Sequence, residues 1–275
     1  MKRFSEYIVE AQSAQSGSDL AKRGFKFETD LIAYYTSGDK IPVEFKNICN
    51  DMDDVAREKC GMKNAVIVSR KSLKVVRTRY GGLPKADLRI EYTFDPKGNG
   101  NAEEYVTGEC SFSLKTTTAK IVSVHQTSMK TFFVDLKNAL NGNEMCKGKD
   151  MSVLKRGLAQ FIKDGSWTTI KKWDEAKLQA FKDQYETALD AFASYVMSEG
   201  SGGTKADAVI MYRPAASVAD SKYSVMSERE YLAACKDASK ATKSLSGLFK
   251  FTYPHGKKGK QIQIKMPVIC KKSMV

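Results

Sequence analysis

Apolar residues recur every three or four positions in several parts of the chain, a spacing that predicts amphipathic helices. Near the start, this spacing predicts helical structure over Met1–Ala11. After a polar linker it predicts a helix that is capped by Asp19 and extends to about Tyr35. The remaining predicted helices lie further along the chain: Asp51–Cys60, Ser128–Leu140, Met151–Asp164, Trp173–Ser198 and Ser227–Ala238.

Short apolar or alternating segments predict strands between these helices. They are Asn64–Ser69, Lys74–Arg79, Asp87–Phe94, Glu104–Thr116, Lys120–His125 and Asp207–Tyr212. Leu248–Tyr253 and Gln261–Val268 flank a turn rich in glycine and lysine, and they predict a C-terminal β-hairpin. Together these elements predict an α/β (α+β) fold with a strand-rich first half and a helical middle.

Basic residues are in excess: 45 Lys and Arg against 32 Asp and Glu give a formal net charge of +13. This excess favours a polyanionic partner, because each phosphate contact releases condensed counterions. A solvated basic surface is the alternative that charge alone leaves open. A membrane partner is not expected, since no apolar segment is long enough to span a bilayer and no basic amphipathic helix is evident.

The 6 cysteines are scattered without a Cys-x-x-Cys pair, and the chain has 2 histidines. A structural zinc site usually needs four closely paired ligands, so zinc is not expected. Scattered cysteines are typical of reduced, buried thiols in a reducing compartment. The segment Met1–Gln15 lacks the apolar stretch of a secretory signal, and we therefore expect a cytoplasmic protein.

The residues best suited to chemistry lie on two consecutive predicted strands. Lys85-Ala86-Asp87 opens the first strand, and Ser111-Phe112-Ser113-Leu114-Lys115 ends the second. Alternate residues of a strand share a face, so Ser113 and Lys115 point to the same side. If the strands are neighbours, the Asp87 carboxylate and the Lys115 ammonium group can hold a hard cation and orient a water. The alternatives are that Asp87 caps a turn and that Lys115 is a charge on an edge strand.

A helix with Glu28, a strand with Asp87 and a strand ending in Ser113-Leu114-Lys115 together resemble the PD-(D/E)XK nuclease superfamily. The segments K-A-D-L-R-I, S-F-S-L-K and V-S-V-H-Q are most similar to type II restriction endonucleases of the MspI kind. This resemblance implies a restriction-endonuclease-like catalytic core over residues 18–140, with a mixed central sheet flanked by helices. Residues 1–17 would be a leader and linker, and residues 141–275 a DNA-binding helical insertion and hairpin packed on the core.

The resemblance also implies an activity, the Mg²⁺-dependent hydrolysis of phosphodiester bonds in double-stranded DNA. Asp87 would bind the metal, the main-chain carbonyl of Leu114 would be a further ligand, and Lys115 would orient or activate the attacking water. Such oxygen ligands suit Mg²⁺, which would polarise the scissile phosphate. The sequence leaves open whether the chain acts alone or as a homodimer.

One position departs from the family pattern, because Ser113 stands where a second acid usually precedes the lysine. Three carboxylates are candidates to compensate. We favour Glu28, because the resemblance places it where relatives often carry a helix acid, whereas strand rise places Glu91 roughly 13 Å and Glu109 about 20 Å from the respective motif residues. The missing acid also supports an alternative function, a non-catalytic DNA-binding protein on a decayed nuclease fold.

Two other places carry candidate DNA contacts. His125 and Gln126 lie where the resembling enzymes approach DNA, while a histidine satisfied by a loop carbonyl is the open alternative. The predicted hairpin tip carries Lys257, Lys258 and Lys260, which either reach phosphates or form a solvated turn.

A second copy of the motif competes with the first. Gly202–Asp207 repeats the Gly-Gly and Lys-Ala-Asp pattern, and Gln263-Ile264-Lys265 is a candidate source of its lysine. Too few residues follow Lys265 for the helix and strand that follow the lysine in this fold. We therefore favour Asp87 over Asp207 as the metal ligand.

The first residues, M-K-R-F-S-E-Y-I-V-E-A, resemble the capsid-targeting leaders of T-even-type phage internal proteins. Within them, Ile8-Val9-Glu10 is similar to a site for the prohead protease. This resemblance implies a phage-encoded protein that is packaged in the virion, with an unrelated role there as a further alternative function.

Overall fold

A computed structural model of the chain describes residues 17–37, 41, 43–76, 85–141, 146–199, 204–215, 221–239, 249–252 and 261–274. The predicted leader helix over Met1–Ala11 lies outside the described residues, as do the hairpin-tip lysines Lys257, Lys258 and Lys260. In the described part of the chain, no helix has the length and apolar character needed to cross a membrane.

The chain divides into two compact units, and each is discontinuous in sequence. The first unit comprises Met1–Lys120, Ser201–Tyr231 and Val268–Val275. The second comprises Ile121–Gly200 and Leu232–Pro267. The first unit thus includes strands from well beyond residue 140, where the sequence-based division ended the core.

The first unit is built on a mixed sheet of six strands. The described strands of the chain are β1 (Val66–Leu73), β2 (Leu88–Asp95), β3 (Val106–Thr116), β4 (Ile121–Ser128), β5 (Ala208–Arg213), β6 (Lys222–Ser227), β7 (Lys250–Thr252), β8 (Gln261–Pro267) and β9 (Lys272–Ser273). The sheet has the order β1-β2-β3-β5-β6-β9. Its neighbouring strands are antiparallel except for β3 and β5, which are parallel. Strand β3 therefore lies at the centre of the sheet, between β2 and β5.

Helices α1 (Gly17–Thr36) and α2 (Val43–Lys59) share a hydrophobic core with this sheet. The alternation along β2 sends Leu88, Ile90, Tyr92 and Phe94 into that core and leaves the intervening residues only partly buried. The mixed sheet with flanking helices confirms the predicted fold class. One detail of the prediction was wrong: α1 begins at Gly17, so Asp19 lies inside the helix and not at its N-cap position.

Helix α2 is longer than the predicted helix over Asp51–Cys60. Its additional N-terminal part belongs to the same amphipathic face, because Phe45, Ile48 and Met52 follow one another at intervals of three and four residues. All three side chains are at most 1% exposed. The helix thus begins before the predicted segment, because its first turns also pack against the core.

The strand predicted over Lys74–Arg79 is wrong over its described part. β1 ends at Leu73, and Lys74–Val76 form no strand, while residues 77–79 lie outside the described residues. The main chain of Val76 instead pairs with Thr204: the Val76 N–H donates to the Thr204 hydroxyl, and the Thr204 N–H donates to the Val76 carbonyl. A contact so distant in sequence leaves no local periodic signal.

The second unit contains a three-stranded sheet and three longer helices. Its sheet has the order β4-β8-β7, and the antiparallel pair of β7 and β8 confirms the predicted hairpin. The helices are α3 (Met129–Asn141), α4 (Ser152–Asp164) and α5 (Glu175–Ser194), and α6 (Glu228–Ser239) is divided between the two units. Phe132, Phe161 and Phe181 are among the aromatic side chains of its core.

Candidate active site

The candidate site forms where β3 continues past the start of β2. The first residue pair of the β2–β3 ladder is Leu88 with Phe112, and the Asp87 N–H donates to the Phe112 carbonyl at 2.8 Å. Beyond this point β2 supplies no partner for Leu114 of β3. The main-chain N–H and carbonyl of Leu114 are therefore available to side chains at this edge.

The Asp87 carboxylate occupies that position. Its Oδ2 accepts hydrogen bonds from the Leu114 N–H at 2.7 Å and from the Ser113 hydroxyl at 3.1 Å. The Lys115 Nζ lies 3.3 Å from the same oxygen. All three contacts converge on Oδ2, and no donor among the described residues contacts Oδ1. One carboxylate oxygen is thus fixed in place while the other remains available for a ligand.

Lys115 connects the carboxylate with the neighbouring carbonyl. Its Nζ donates to the Leu114 carbonyl at 3.0 Å in addition to its contact with Asp87. Both charged side chains are partly exposed, so solvent has access to them. The Lys115 ammonium group is thereby held beside two oxygen atoms, Asp87 Oδ2 and the Leu114 carbonyl oxygen.

Glu28 of α1 lies within electrostatic reach of this pair. Burial and, to a lesser extent, the nearby Asp87 carboxylate raise its pKa from 4.5 to about 7, while Lys115 acts in the opposite direction. The structure therefore brings together the three side chains that sequence analysis named as catalytic or metal-binding. Asp87 immediately precedes β2, Lys115 lies on the neighbouring strand β3, and Glu28 lies on helix α1.

The donor set fits a hard divalent cation. Two carboxylates, Asp87 and Glu28, and the Leu114 carbonyl are oxygen ligands of the kind that Mg²⁺ prefers. Burial is the main cause of the raised pKa of Glu28, and repulsion from the Asp87 carboxylate adds to it; a cation bound to both carboxylates would relieve this repulsion. Among the described residues, no group of three or more His, Cys, Asp or Glu side chains is placed to hold a metal ion. Any such cation would therefore need the main-chain carbonyl or water as further ligands.

Ser113 occupies the position of the usual second acid. Its side chain is 2% exposed, and its hydroxyl donates to Asp87. A serine here orients the carboxylate but adds no negative charge, so the described site has one acid fewer than the family pattern.

The two other candidate carboxylates are engaged elsewhere on the sheet. Glu109 of β3 pairs with Arg89 at 2.6 Å, and Glu91 of β2 lies 3.9 Å from Lys71. Glu91 and Glu109 are also partners in the β2–β3 register, further along the strands than Asp87. These contacts support Glu28 as the third member of the site.

The second motif copy forms a different arrangement. Asp207 precedes β5, where its main-chain N–H and its carboxylate bind the carbonyl and the N–H of Ser111. Its other carboxylate oxygen lies 2.5 Å from Lys59 Nζ at the end of α2. Lys265, the proposed lysine of this copy, belongs to β8 of the other sheet and pairs with Ser123. The two halves of the second motif therefore belong to different sheets.

The predicted DNA contacts lie in the second unit. His125 of β4 is buried, with its ring edge-on to Tyr195 at a centroid distance of 6.4 Å. Gln126 is exposed, and its side-chain amide donates to Gln261 at 3.2 Å. Exposure suits Gln126 for a contact with a ligand, whereas His125 has the packed environment of the structural alternative.

Sequence reasoning missed Lys59 and Thr204. Lys59 ends α2 with an unremarkable helical pattern, and Thr204 is a single polar residue beside two glycines. The only available signal was the repetition of Lys-Ala-Asp, which marked Asp207 but not its partners. Both contacts join residues more than 100 positions apart.

Comparison with known proteins gave a family and similar solved structures. A sequence model of the family described as restriction endonuclease MspI matches residues 8–266 of this chain. The crystal structure of restriction endonuclease MspI in complex with its cognate DNA is similar, with a TM-score of 0.63 and 17% sequence identity over 94% of this chain and 96% of that chain. No curated protein sequence matches. The family match extends through both compact units, far beyond the segment that carried the motif.

Proposed function

This chain belongs to the MspI restriction endonuclease family, and on that premise we propose that it is a Mg²⁺-dependent endonuclease that hydrolyses the phosphodiester bonds of double-stranded DNA. The observation that carries this proposal is the convergence of Asp87, Lys115, Glu28 and the Leu114 carbonyl at one edge of the sheet. Such a group of oxygen ligands beside an ammonium group suits phosphodiester hydrolysis.

A DNA substrate is supported by two further observations. The net charge of +13 favours a partner with a dense array of phosphates. The fold is similar to that of MspI, which the solved structure contains in complex with its cognate DNA. We propose Gln126 and the tip lysines Lys257, Lys258 and Lys260 as contacts to a DNA substrate.

Asp87 and Glu28 are the carboxylates that would hold Mg²⁺, with the Leu114 carbonyl as a third oxygen. The bound ion supplies positive charge that polarises the scissile phosphate. Lys115, fixed between Asp87 and the Leu114 carbonyl, would orient the attacking water and stabilise negative charge on the phosphate. The Ser113 hydroxyl donates a hydrogen bond to Asp87 Oδ2 and so helps to fix the orientation of this carboxylate.

A cleavage assay on supercoiled plasmid tests the proposal. We expect nicked or linear products with Mg²⁺, none with excess chelator, and restored cleavage when Mg²⁺ is added back. Binding of the same DNA should fall steeply between low and moderate salt, as counterion release requires. A purified, folded chain that binds DNA but never cuts it with Mg²⁺ would contradict the proposed activity.

A second candidate function is a non-catalytic DNA-binding protein on a decayed nuclease fold, and Ser113 is the observation that favours it. Such a protein would bind DNA with the same affinity in the presence and absence of the metal. The leader adds the proposal that a phage encodes and packages the chain, which mass spectrometry of purified virions would test.

A further inference from the structure

The segments that precede β2 and β5 are hydrogen-bonded to each other although β3 lies between those strands. The Thr204 carbonyl accepts hydrogen bonds from the N–H groups of Lys85 and Ala86, each at 3.2 Å. Lys85 and Ala86 are the two residues immediately before Asp87. A single peptide group of the β5 side therefore fixes the main chain that leads into the candidate metal ligand.

Thr204 is itself fixed by its own hydrogen bonds. Its N–H donates to the Val76 carbonyl at 2.9 Å, and its hydroxyl accepts from the Val76 N–H at 2.9 Å. Three residues further on, Asp207 binds the main chain of Ser111 in β3 and pairs with Lys59. Thr204 is thus connected to the segment that follows β1 through Val76, and to β3 through Asp207.

Asp87 needs such a support because it lies at the start of a strand. Terminal strand residues open more readily than residues inside a ladder. Only one main-chain hydrogen bond, to Phe112, joins Asp87 to β3, while its carboxylate must stay 2.7 Å from the Leu114 N–H. The buried side chain of Ala86, 2% exposed, shows that this segment is packed as well as hydrogen-bonded.

We propose that Thr204 is a positioning residue for Asp87: it ties the segment before β2 to the segment before β5 and so holds the Asp87 carboxylate on the Leu114 N–H. The catalytic consequence rests on the proposed function, whereas the structural tie does not. Displacing a reacting group by about 1 Å can cost a catalyst roughly 100-fold, so a small shift of Asp87 is enough to weaken metal binding.

The test replaces the Thr204 hydroxyl and follows the Leu114 amide in the metal-free protein. Thr204→Val keeps the shape of the side chain but removes the acceptor for Val76, while Thr204→Ser keeps that acceptor. Hydrogen exchange at Leu114 reports the contact with Asp87, and exchange at Tyr92 in the middle of β2 reports the integrity of the sheet. We expect exchange at Leu114 to accelerate about three- to tenfold in Thr204→Val, as the loss of one hydrogen bond implies, with Tyr92 unchanged and Thr204→Ser close to wild type.

A second readout is the Mn²⁺ affinity of the same proteins by calorimetry, which should fall several-fold in the valine variant only. Unchanged exchange at Leu114 in Thr204→Val would overturn the positioning role, whether or not the wild type cuts DNA. A wild type without nuclease activity would instead overturn the proposed function and leave the exchange result standing.

If Thr204→Val does not fold, Lys59→Met takes its place, because it removes the ion pair that fixes Asp207. Lys272→Met is the matched control, since Lys272 also forms an exposed ion pair, 2.7 Å from Asp51, on the edge strand β9. Faster exchange at Leu114 in Lys59→Met alone supports the tie. Equal exchange in both variants overturns it.

Discussion

Two Lys-Ala-Asp segments precede strands on the two sides of β3, yet their aspartates have different surroundings. Asp87 accepts from Ser113, Leu114 and Lys115 through one oxygen and has Glu28 nearby. Asp207 has both oxygens engaged, one by the Ser111 N–H and the other by Lys59. The same three residues thus build a candidate catalytic group in one place and a structural tie in the other.

Strand direction accounts for the difference. β2 is antiparallel to β3, so the start of β2 meets the far end of β3, where Leu114 has no partner from that side. β5 is parallel to β3, and its start lies beside Ser111 in the interior of β3. There the main-chain N–H of Ser111 donates a hydrogen bond to the Asp207 carboxylate. The same short motif can therefore form a candidate catalytic site only where the sheet topology leaves main-chain N–H and carbonyl groups without a strand partner.

The largest expected effect separates the two aspartates directly. Asp87→Ala removes the strand carboxylate that would hold the metal, so cleavage should fall by about 10³-fold or more. Asp207→Ala should keep cleavage at saturating Mg²⁺ within about threefold of wild type, because its carboxylate contacts only protein groups. Single-turnover plasmid cleavage measures both. An inactive Asp207→Ala beside an active Asp87→Ala would reverse the assignment.

The next effect concerns the two lysines. Lys115→Ala removes the ammonium group beside the Leu114 carbonyl, and we expect cleavage to fall by about 10²- to 10³-fold. Affinity for DNA, measured in Ca²⁺ by fluorescence anisotropy, should change little, since the loss is confined to the transition state. Lys59→Met is the matched comparison and should retain cleavage at saturating metal. Equal losses in the two variants would show that the lysines share a structural role.

Part of the candidate site could be predicted from the sequence. Alternation along β3 predicted the common face of Ser113 and Lys115, and the adjacency of consecutive strands predicted the approach of Asp87. Glu28 was selected through the family resemblance, because helix periodicity alone does not reveal which partner a helix contacts. The long-range contacts of Thr204 and Lys59 could not be predicted from the sequence, because they depend on the position of β5 beside β3 and not on any local pattern.

The sheet itself was predicted only in part for the same reason. β6 and β9 complete the sheet through pairs such as Tyr223 with Lys272, which lie far apart in sequence. β9 is only two residues long, too short for an alternating pattern. The fold class followed from local periodicity, whereas the composition of each compact unit required the tertiary contacts.

A smaller effect tests the missing acid. Ser113→Asp adds a carboxylate next to Asp87, so the Mg²⁺ concentration for half-maximal cleavage should fall several-fold. Ser111→Asp is the matched control, because Ser111 shares the face of β3 and is also buried, at 5% exposure, but lies on the Asp207 side. Cleavage by the two variants and the wild type, measured as a function of Mg²⁺ concentration, tests this expectation. Equal responses of both variants would contradict a metal site at Asp87.

The smallest effect concerns Glu28 and pH. Its folded-state pKa of about 7 exceeds the ordinary value of 4.5, so the native state binds more protons than the unfolded state between these values. The associated stability is present below pH 4.5 and is lost as pH rises through 7. Without metal, Glu28→Gln should therefore be more stable than wild type at pH 8, by about 1 kcal/mol or less after allowance for solvent screening. The two proteins should match near pH 4.5.

Thermal unfolding at both pH values measures this difference, which corresponds to roughly 2–4 °C in a chain of this size. The same variant should cut DNA more weakly than wild type, and added Mg²⁺ should restore part of the activity. If the wild type has a higher unfolding temperature than Glu28→Gln at pH 8, the pKa of Glu28 is not raised in the folded protein.

The most direct test is the position of the metal in a crystal of the chain with DNA and Mn²⁺, located by anomalous scattering. If Asp87 holds the metal, we expect a peak about 2.0–2.3 Å from Asp87 Oδ1 and the Leu114 carbonyl, with Glu28 in or next to the coordination shell. A peak at Asp207, or clear density for cleaved DNA with no peak beside Asp87, would contradict it.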